Sequence, residues 1–111
     1  MLVNEDFELN NNNWTVGYPG DLATAGLWER LIPIATYENN EIVQPGEDHS
    51  LDGEYCFITA NPNTPNSNPG GNDVDGGKTT LLSPIYNLSD YDGAIVSYWR
   101  WFTNNQGNNP G

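Results

Sequence analysis

Residues 54–60 read Glu54-Tyr55-Cys56-Phe57-Ile58-Thr59-Ala60, and residues 94–103 read Ala94-Ile95-Val96-Ser97-Tyr98-Trp99-Arg100-Trp101-Phe102-Thr103. In the first stretch, side chains of alternate residues fall into two sets, one containing Phe57 and the other Ile58. The second stretch places Val96 on one face and Ile95 on the other in the same way. Alternation with a period of two is typical of a β-strand, so the sequence predicts its two best strands here.

Weaker strand patterns lie on either side of residues 54–60. We predict short strands at residues 5–9, 14–18, 27–37, 42–43 and 78–82. Pro33 interrupts the third of these and favours an edge or a bulge over a central position in a sheet. Residues 61–77 contain a single large apolar side chain, Val74, and three prolines, which predicts a long surface loop.

The composition favours an all-β domain. Asn, Gly and Pro make up 37 of the 111 residues, and 12% of the residues are aromatic, which is too many for a disordered acidic chain. We therefore predict one antiparallel β-sandwich domain over residues 1–103, followed by a polar, disordered tail over residues 104–111. With so few strands, the sandwich is expected to be incomplete on its own.

Charge and cysteine content exclude several classes of function. The formal net charge is -12, with only 3 basic side chains, so neither nucleic acid nor an anionic membrane surface is expected as a partner. Cys56 and His49 are the single cysteine and the single histidine, which excludes an internal disulfide and a Cys/His zinc site. The amino end has no basic stretch followed by an apolar core, so we expect no signal peptide, and no run of residues approaches the length of a membrane-spanning helix.

Six blocks of sequence form a recognisable series: Asp6-Phe7-Glu8, Trp14, residues 20–30, residues 52–59, residues 73–84 and residues 96–102. In their order and spacing, these blocks resemble the MAM-like jelly-roll modules of secreted bacterial proteins, which are often found beside metallopeptidases of the immune inhibitor A and carboxypeptidase type. The resemblance implies a jelly-roll sandwich, a non-catalytic role in adhesion or in binding glycans or proteins, and a structural calcium ion. It also implies an extracellular location as part of a larger protein. Such modules usually continue with further strands, so a second copy of the chain is a candidate to complete the sheets.

The turn Asn72-Asp73-Val74-Asp75-Gly76-Gly77 provides candidate calcium ligands. Calcium takes six to eight oxygen ligands, and the carboxylates of Asp73 and Asp75 stand at alternating positions, followed by two glycines that let the backbone fold around an ion. The resemblance adds Glu8 as a third ligand. The alternative is a solvated turn without a metal.

The aromatic residues of the last predicted strand provide a candidate ligand-binding surface. Tyr98, Trp99 and Trp101 could stack on sugar rings, and Arg100 could donate hydrogen bonds to hydroxyl groups. The alternative is that these side chains pack in the core of the sandwich.

A catalytic role is not expected. His49 lies next to Asp48 and Ser50, but a catalytic triad is defined by geometry, and sequence neighbours in one loop rarely supply it. We therefore expect a non-enzymatic binding or adhesion module. The alternatives are an assembly domain that oligomerises through an open strand edge and, third, a fragment of a hydrolase.

Overall fold

A computed structural model describes residues 1–65 and 68–104. Among these residues there is no helix, and there are six short strands. The strands are β1 (Thr15–Val16), β2 (Glu29–Leu31), β3 (Thr36–Glu38), β4 (Glu41–Gln44), β5 (Cys56–Ile58) and β6 (Leu81–Leu82). The prediction that the chain is all-β is confirmed for the described residues. Most of the predicted tail, residues 105–111, lies outside the described residues.

The strands form three separate antiparallel pairs: β1 with β6, β2 with β5, and β3 with β4. The β3–β4 hairpin turns at Asn39 and Asn40, whose φ angles are 51° and 66°. A two-residue hairpin turn of type I′ needs positive φ at both positions, and Asn tolerates this better than most residues. The predicted strand over residues 27–37 is split into β2 and β3, because Pro33 lies between them and cannot donate to a ladder.

The pairing of β2 with β5 gives the middle of the chain two distinct faces. Glu29 lies opposite Ile58, Arg30 opposite Phe57, and Leu31 opposite Cys56. Directly paired residues share a face, so Arg30 and Phe57 lie on one side, and Glu29 and Ile58 on the other. The alternation predicted for residues 54–60 is confirmed in β5.

The core of the described chain is small. Phe57 and Ile58 are its buried hydrophobic residues. Phe57 packs edge-on against Phe7 with ring centroids 5.0 Å apart, and Phe7 packs edge-on against Trp14 at 5.3 Å. These edge-to-face contacts stabilise the core beyond the effect of the surface area that the three rings bury.

Two predicted strands are absent from the structure. Residues 5–9 form no strand, because Phe7 has a φ of 62° and turns toward Trp14, while Leu9 stays exposed. Residues 94–103 also form no strand, although their alternation is the strongest in the sequence. A strand needs a partner for its backbone groups, and none of the six described strands pairs with this segment.

Candidate functional site

Glu8, the calcium ligand implied by the family resemblance, binds backbone amides. Its Oε1 atom accepts hydrogen bonds from the N–H groups of Glu54, at 3.0 Å, and Tyr55, at 2.8 Å. The carboxylate therefore anchors the start of the segment that leads into β5. Such charge-assisted bonds are stronger than those between neutral groups.

Arg30, which the sequence did not single out, fixes the backbone on both sides of Glu8. Its Nε donates to the carbonyl of Phe7 at 2.5 Å, and one of its terminal nitrogens donates to the carbonyl of Glu8 at 2.8 Å. The guanidinium also lies over the ring of Tyr55, 4.0 Å from its centroid, in a cation–π contact. The sequence contained one indication of this role: Arg30 is one of very few basic residues, and it lies inside a predicted strand.

Asp73 and Asp75 lie in a second region, where residues 73–77 pack against residues 22–26. Ala25 forms an isolated antiparallel bridge with Asp75, and the N–H of Thr24 donates to the carbonyl of Asp75 at 2.8 Å. Gly26 has a φ of 70°, and a Cβ at this position would lie 2.3 Å from the carbonyl oxygen of Asp73. Only glycine allows the two segments to approach this closely.

The three predicted calcium ligands are not brought together. In residues 1–65 and 68–104, no group of three or more His, Cys, Asp or Glu side chains is placed to hold a metal ion. Calcium binding therefore stays a prediction from the sequence. Thermal unfolding with calcium, compared with equal magnesium, tests it through a specific rise in melting temperature.

Tyr98, Trp99 and Arg100 are exposed to solvent, and Trp101 is half-buried. The exposed fractions of Tyr98 and Trp99 are 73% and 77%. The indole of Trp99 stacks on the imidazole of His49, with ring centroids 3.8 Å apart and ring planes at 12°. This contact connects residues 94–102, which we call the aromatic segment, to the loop between β4 and β5.

His49 takes no part in the hydrogen bond that joins its two sequence neighbours, Asp48 and Ser50. Within the described part of the chain, no hydrogen bond joins its ring to Ser50 or to a carboxylate, and its side chain is exposed. The N–H of Ser50 donates instead to the carboxylate of Asp48. The arrangement around His49 is that of a stacking partner for Trp99.

Two titratable side chains have shifted pKa values. Burial raises the pKa of the Cys56 thiol to about 12, and the negative charges of Asp48 and Glu8 add to the effect. For Asp21, partial desolvation acts to raise the pKa of the carboxyl, but its hydrogen bonds outweigh this and the pKa is lowered. The donors are the hydroxyl and the N–H of Thr80, both at 2.8 Å, and the N–H of Tyr18, with Lys78 contributing at longer range.

Asp21 thereby joins the turn after β1 to the residue that precedes β6.

Asn61 also joins separate parts of the chain: its Oδ1 accepts hydrogen bonds from the N–H of Ile34 at 3.0 Å and from Nε2 of Gln44 at 2.9 Å. Sequence reasoning missed both residues. The sequence contained a local signal for Asp21, because this residue closes the turn Tyr18-Pro19-Gly20-Asp21. No local pattern indicated Asn61.

Comparison with known proteins gives no relative: no family model, no curated protein and no solved structure matches this chain. In the residues that the structure describes, no helix has the length and apolar character needed to span a bilayer. The sites described above therefore carry the functional argument alone.

Proposed function

We propose that this chain is a non-catalytic interaction module of an extracellular protein, and that its aromatic segment pairs with the aromatic segment of a second copy. One observation carries the proposal: residues 94–102 have the sequence pattern of a strand, but they form no strand in the structure. A segment of this kind can gain its ladder hydrogen bonds from another chain by β-strand addition.

The exposed apolar surface supports a protein partner. Ile95 is 96% exposed and Val96 is 84% exposed, beside the exposed rings of Tyr98, Trp99 and Phe102. Contiguous apolar patches on a folded protein mark interaction sites, whereas isolated exposed apolar residues do not. Burying these side chains would stabilise a complex through the hydrophobic effect.

The distribution of charge supports a second copy as the partner. Two chains that each have a net charge of -12 repel one another over most of their surfaces. The aromatic segment contains no carboxylate, and its one charged residue, Arg100, is among only 3 basic residues in the chain. Pairing through this segment therefore places no two carboxylates opposite each other. Such pairing would also add strands toward the jelly-roll sandwich that the sequence predicts.

A matched pair of substitutions tests this function. Val96→Asp places a carboxylate within the aromatic segment, and Ile85→Asp makes the same change outside it, at a side chain that is 99% exposed. Neither side chain supports the fold of the monomer. We expect light scattering to show a dimer for the wild type and for Ile85→Asp, and a dissociation constant at least roughly tenfold higher for Val96→Asp. A wild-type chain that stays monomeric, or two variants that behave alike, would exclude the proposal.

Sugar binding is the second candidate, favoured by the exposure of Tyr98 and Trp99. Aromatic rings accept the apolar face of a pyranose, and Arg100 can donate to hydroxyl groups. Ile95 and Val96 have no role in such a site, which is why we place protein pairing first. Oligosaccharide-induced quenching of Trp fluorescence that is lost in Trp99→Ala and unaltered in Val96→Asp would favour sugar binding.

A further inference from the structure

One acidic and one basic residue lie at equal distances on either side of Val96. Asp92 lies two residues before the aromatic segment begins, and Arg100 lies near its end. Both side chains are exposed, and neither forms an ion pair within residues 1–65 and 68–104. Because Asp92 and Arg100 are eight positions apart, they lie on the same face when residues 92–100 are extended, with Val96 midway between them.

These two charges determine the direction in which two copies can pair. In a parallel, in-register pair, Arg100 lies beside Arg100 of the other copy, and Asp92 lies beside Asp92. Like charges at directly paired positions destabilise a sheet. An antiparallel pair centred on Val96 instead places Arg100 of each copy opposite Asp92 of the other. The two resulting ion pairs are related by the two-fold symmetry that is usual for homodimers.

The sizes of the side chains fit the same arrangement. With Val96 opposite Val96 of the other copy, Tyr98 lies opposite Ala94, and Trp99 lies opposite Gly93. Each of these rings is thus paired with a small residue. No atom lies within 4 Å of a Cβ added at Gly93, so an indole has room beside it. An aromatic side chain opposite a small residue or a glycine is a favourable cross-strand pair.

A register centred on Ile95 also gives the arginine an acidic partner, Asp90, but it conflicts with the structure before the aromatic segment. Asp90 lies in a turn that is closed by a hydrogen bond from the N–H of Tyr91 to the carbonyl of Leu88, at 3.0 Å. Pairing at Asp90 requires this turn to open, whereas pairing that ends at Asp92 leaves it intact. The register centred on Val96 is therefore favoured.

We propose that two copies pair antiparallel over residues 92–100, with Val96 on the two-fold axis and with Arg100 of each copy opposite Asp92 of the other. This inference rests on the pairing proposed above and assigns its register. The apolar side chains supply most of the affinity, because exposed ion pairs contribute little. Arg100 and Asp92 supply specificity, since a shifted register separates the two charges.

Exchange of the two charges tests the register. Arg100→Glu and Asp92→Arg each place like charges opposite one another, and the double variant Asp92→Arg/Arg100→Glu restores opposite charges. The double variant Asp90→Arg/Arg100→Glu is the matched control. Like the first double variant, it keeps the net charge of -12, but it leaves Asp92 opposite a glutamate.

Sedimentation at several protein concentrations measures the dissociation constant of each dimer. We expect a roughly tenfold increase for each single variant, because two pairs change from attraction to repulsion. Asp92→Arg/Arg100→Glu should return to near the wild-type value, while the control should stay as weak as Arg100→Glu. A wild type that forms no dimer would exclude the pairing itself. A dimer that Val96→Asp weakens but that the charge exchange fails to restore would contradict the register alone.

Cysteine cross-linking locates the two-fold axis independently. In this register, Val96→Cys places two thiols at directly opposite positions, where the Cα separation suits a disulfide. Ala94→Cys places its two thiols four positions apart along the pair, at roughly 13 Å. We expect the mild oxidant diamide to cross-link Val96→Cys, but neither Ala94→Cys nor the wild type, whose single cysteine is Cys56. Equal cross-linking of Val96→Cys and Ala94→Cys would overturn the proposed register.

Discussion

Cys56 is the first residue of β5, at one end of the β2–β5 pair, and its environment makes the thiol unreactive. Because burial and two neighbouring carboxylates raise the pKa of Cys56 to about 12, the thiol stays protonated at pH 8. We expect native protein to react with iodoacetamide at least roughly tenfold more slowly than the same protein in urea, where the pKa returns to about 8.5. Mass spectrometry over a time course measures both rates, and equal rates would show that β5 is open to solvent.

Asp21 links β1 to β6, and its lowered pKa makes this link dependent on pH. A carboxyl whose pKa is lower in the folded state stabilises the fold above its ordinary pKa, and this contribution is lost as the pH falls through the folded value. Asp21→Asn should therefore lower the free energy of unfolding at pH 7, and the difference from the wild type should shrink below about pH 4. Urea unfolding at the two pH values measures this.

Asp90→Asn is the control for Asp21, because Asp90 lies exposed in a turn. It makes the same change in net charge. If Asp90→Asn lowered the stability as much as Asp21→Asn does, the hydrogen bonds from Thr80 would not be the source of the effect.

At the level of structural elements, the contact between residues 22–26 and 73–77 depends on glycine. Gly26→Ala places a Cβ against the carbonyl of Asp73 and requires a left-handed backbone, with a φ of 70°. We expect a loss of at least about 1–2 kcal/mol in the free energy of unfolding. Gly93→Ala is the matched control, because no atom lies within 4 Å of its added Cβ, and it should leave the stability almost unchanged. Two variants of equal stability would contradict the close packing of these segments.

The comparison of the two strongest strand patterns shows what sequence reasoning can predict here. Residues 54–60 form β5 as expected, because β2 supplies the backbone partner and Phe7 covers Phe57. Residues 94–103 alternate more strongly but form no strand, since periodicity indicates which side chains share a face and not which chain supplies the hydrogen bonds. The β3–β4 turn at Asn39 and Asn40 was predictable in principle from local turn chemistry.

The candidate sites were less predictable than the strands. Asp73 and Asp75 lie on a turn in the sequence, and their position beside Glu29 and Ile58 results from the long-range contact with Ala25 and Gly26. The stack of His49 on Trp99 joins residues 50 positions apart in the chain. Such juxtapositions arise from tertiary packing, which single-residue patterns do not encode.

For the whole molecule, a large accessible surface is the dominant feature. The accessible surface is 8603 Å², whereas a compact monomer of 12.3 kDa exposes about 6,100 Å². The aromatic segment contributes to this excess, with Ile95, Val96 and Phe102 all exposed. Association of two chains removes part of this surface from water.

The high negative charge should make that association dependent on salt. Two chains of charge -12 repel at low ionic strength, and the screening length falls from about 30 Å at 0.01 M to about 8 Å at 0.15 M. We expect the dissociation constant of the dimer, measured by sedimentation, to fall as sodium chloride rises over this range. A dissociation constant that rises with salt would indicate instead that ion pairs between the two copies outweigh this repulsion.

Hydrogen–deuterium exchange of residues 94–102, at a low and a high protein concentration, tests the central claim most directly. We predict rapid exchange of these amides in dilute protein, where the segment forms no ladder, and protection at high concentration, where a second copy supplies the acceptors. The amides of β5 serve as the internal reference, since their pairing with β2 is independent of concentration. Exchange in residues 94–102 that is equally fast at both concentrations would contradict the pairing of two copies through this segment.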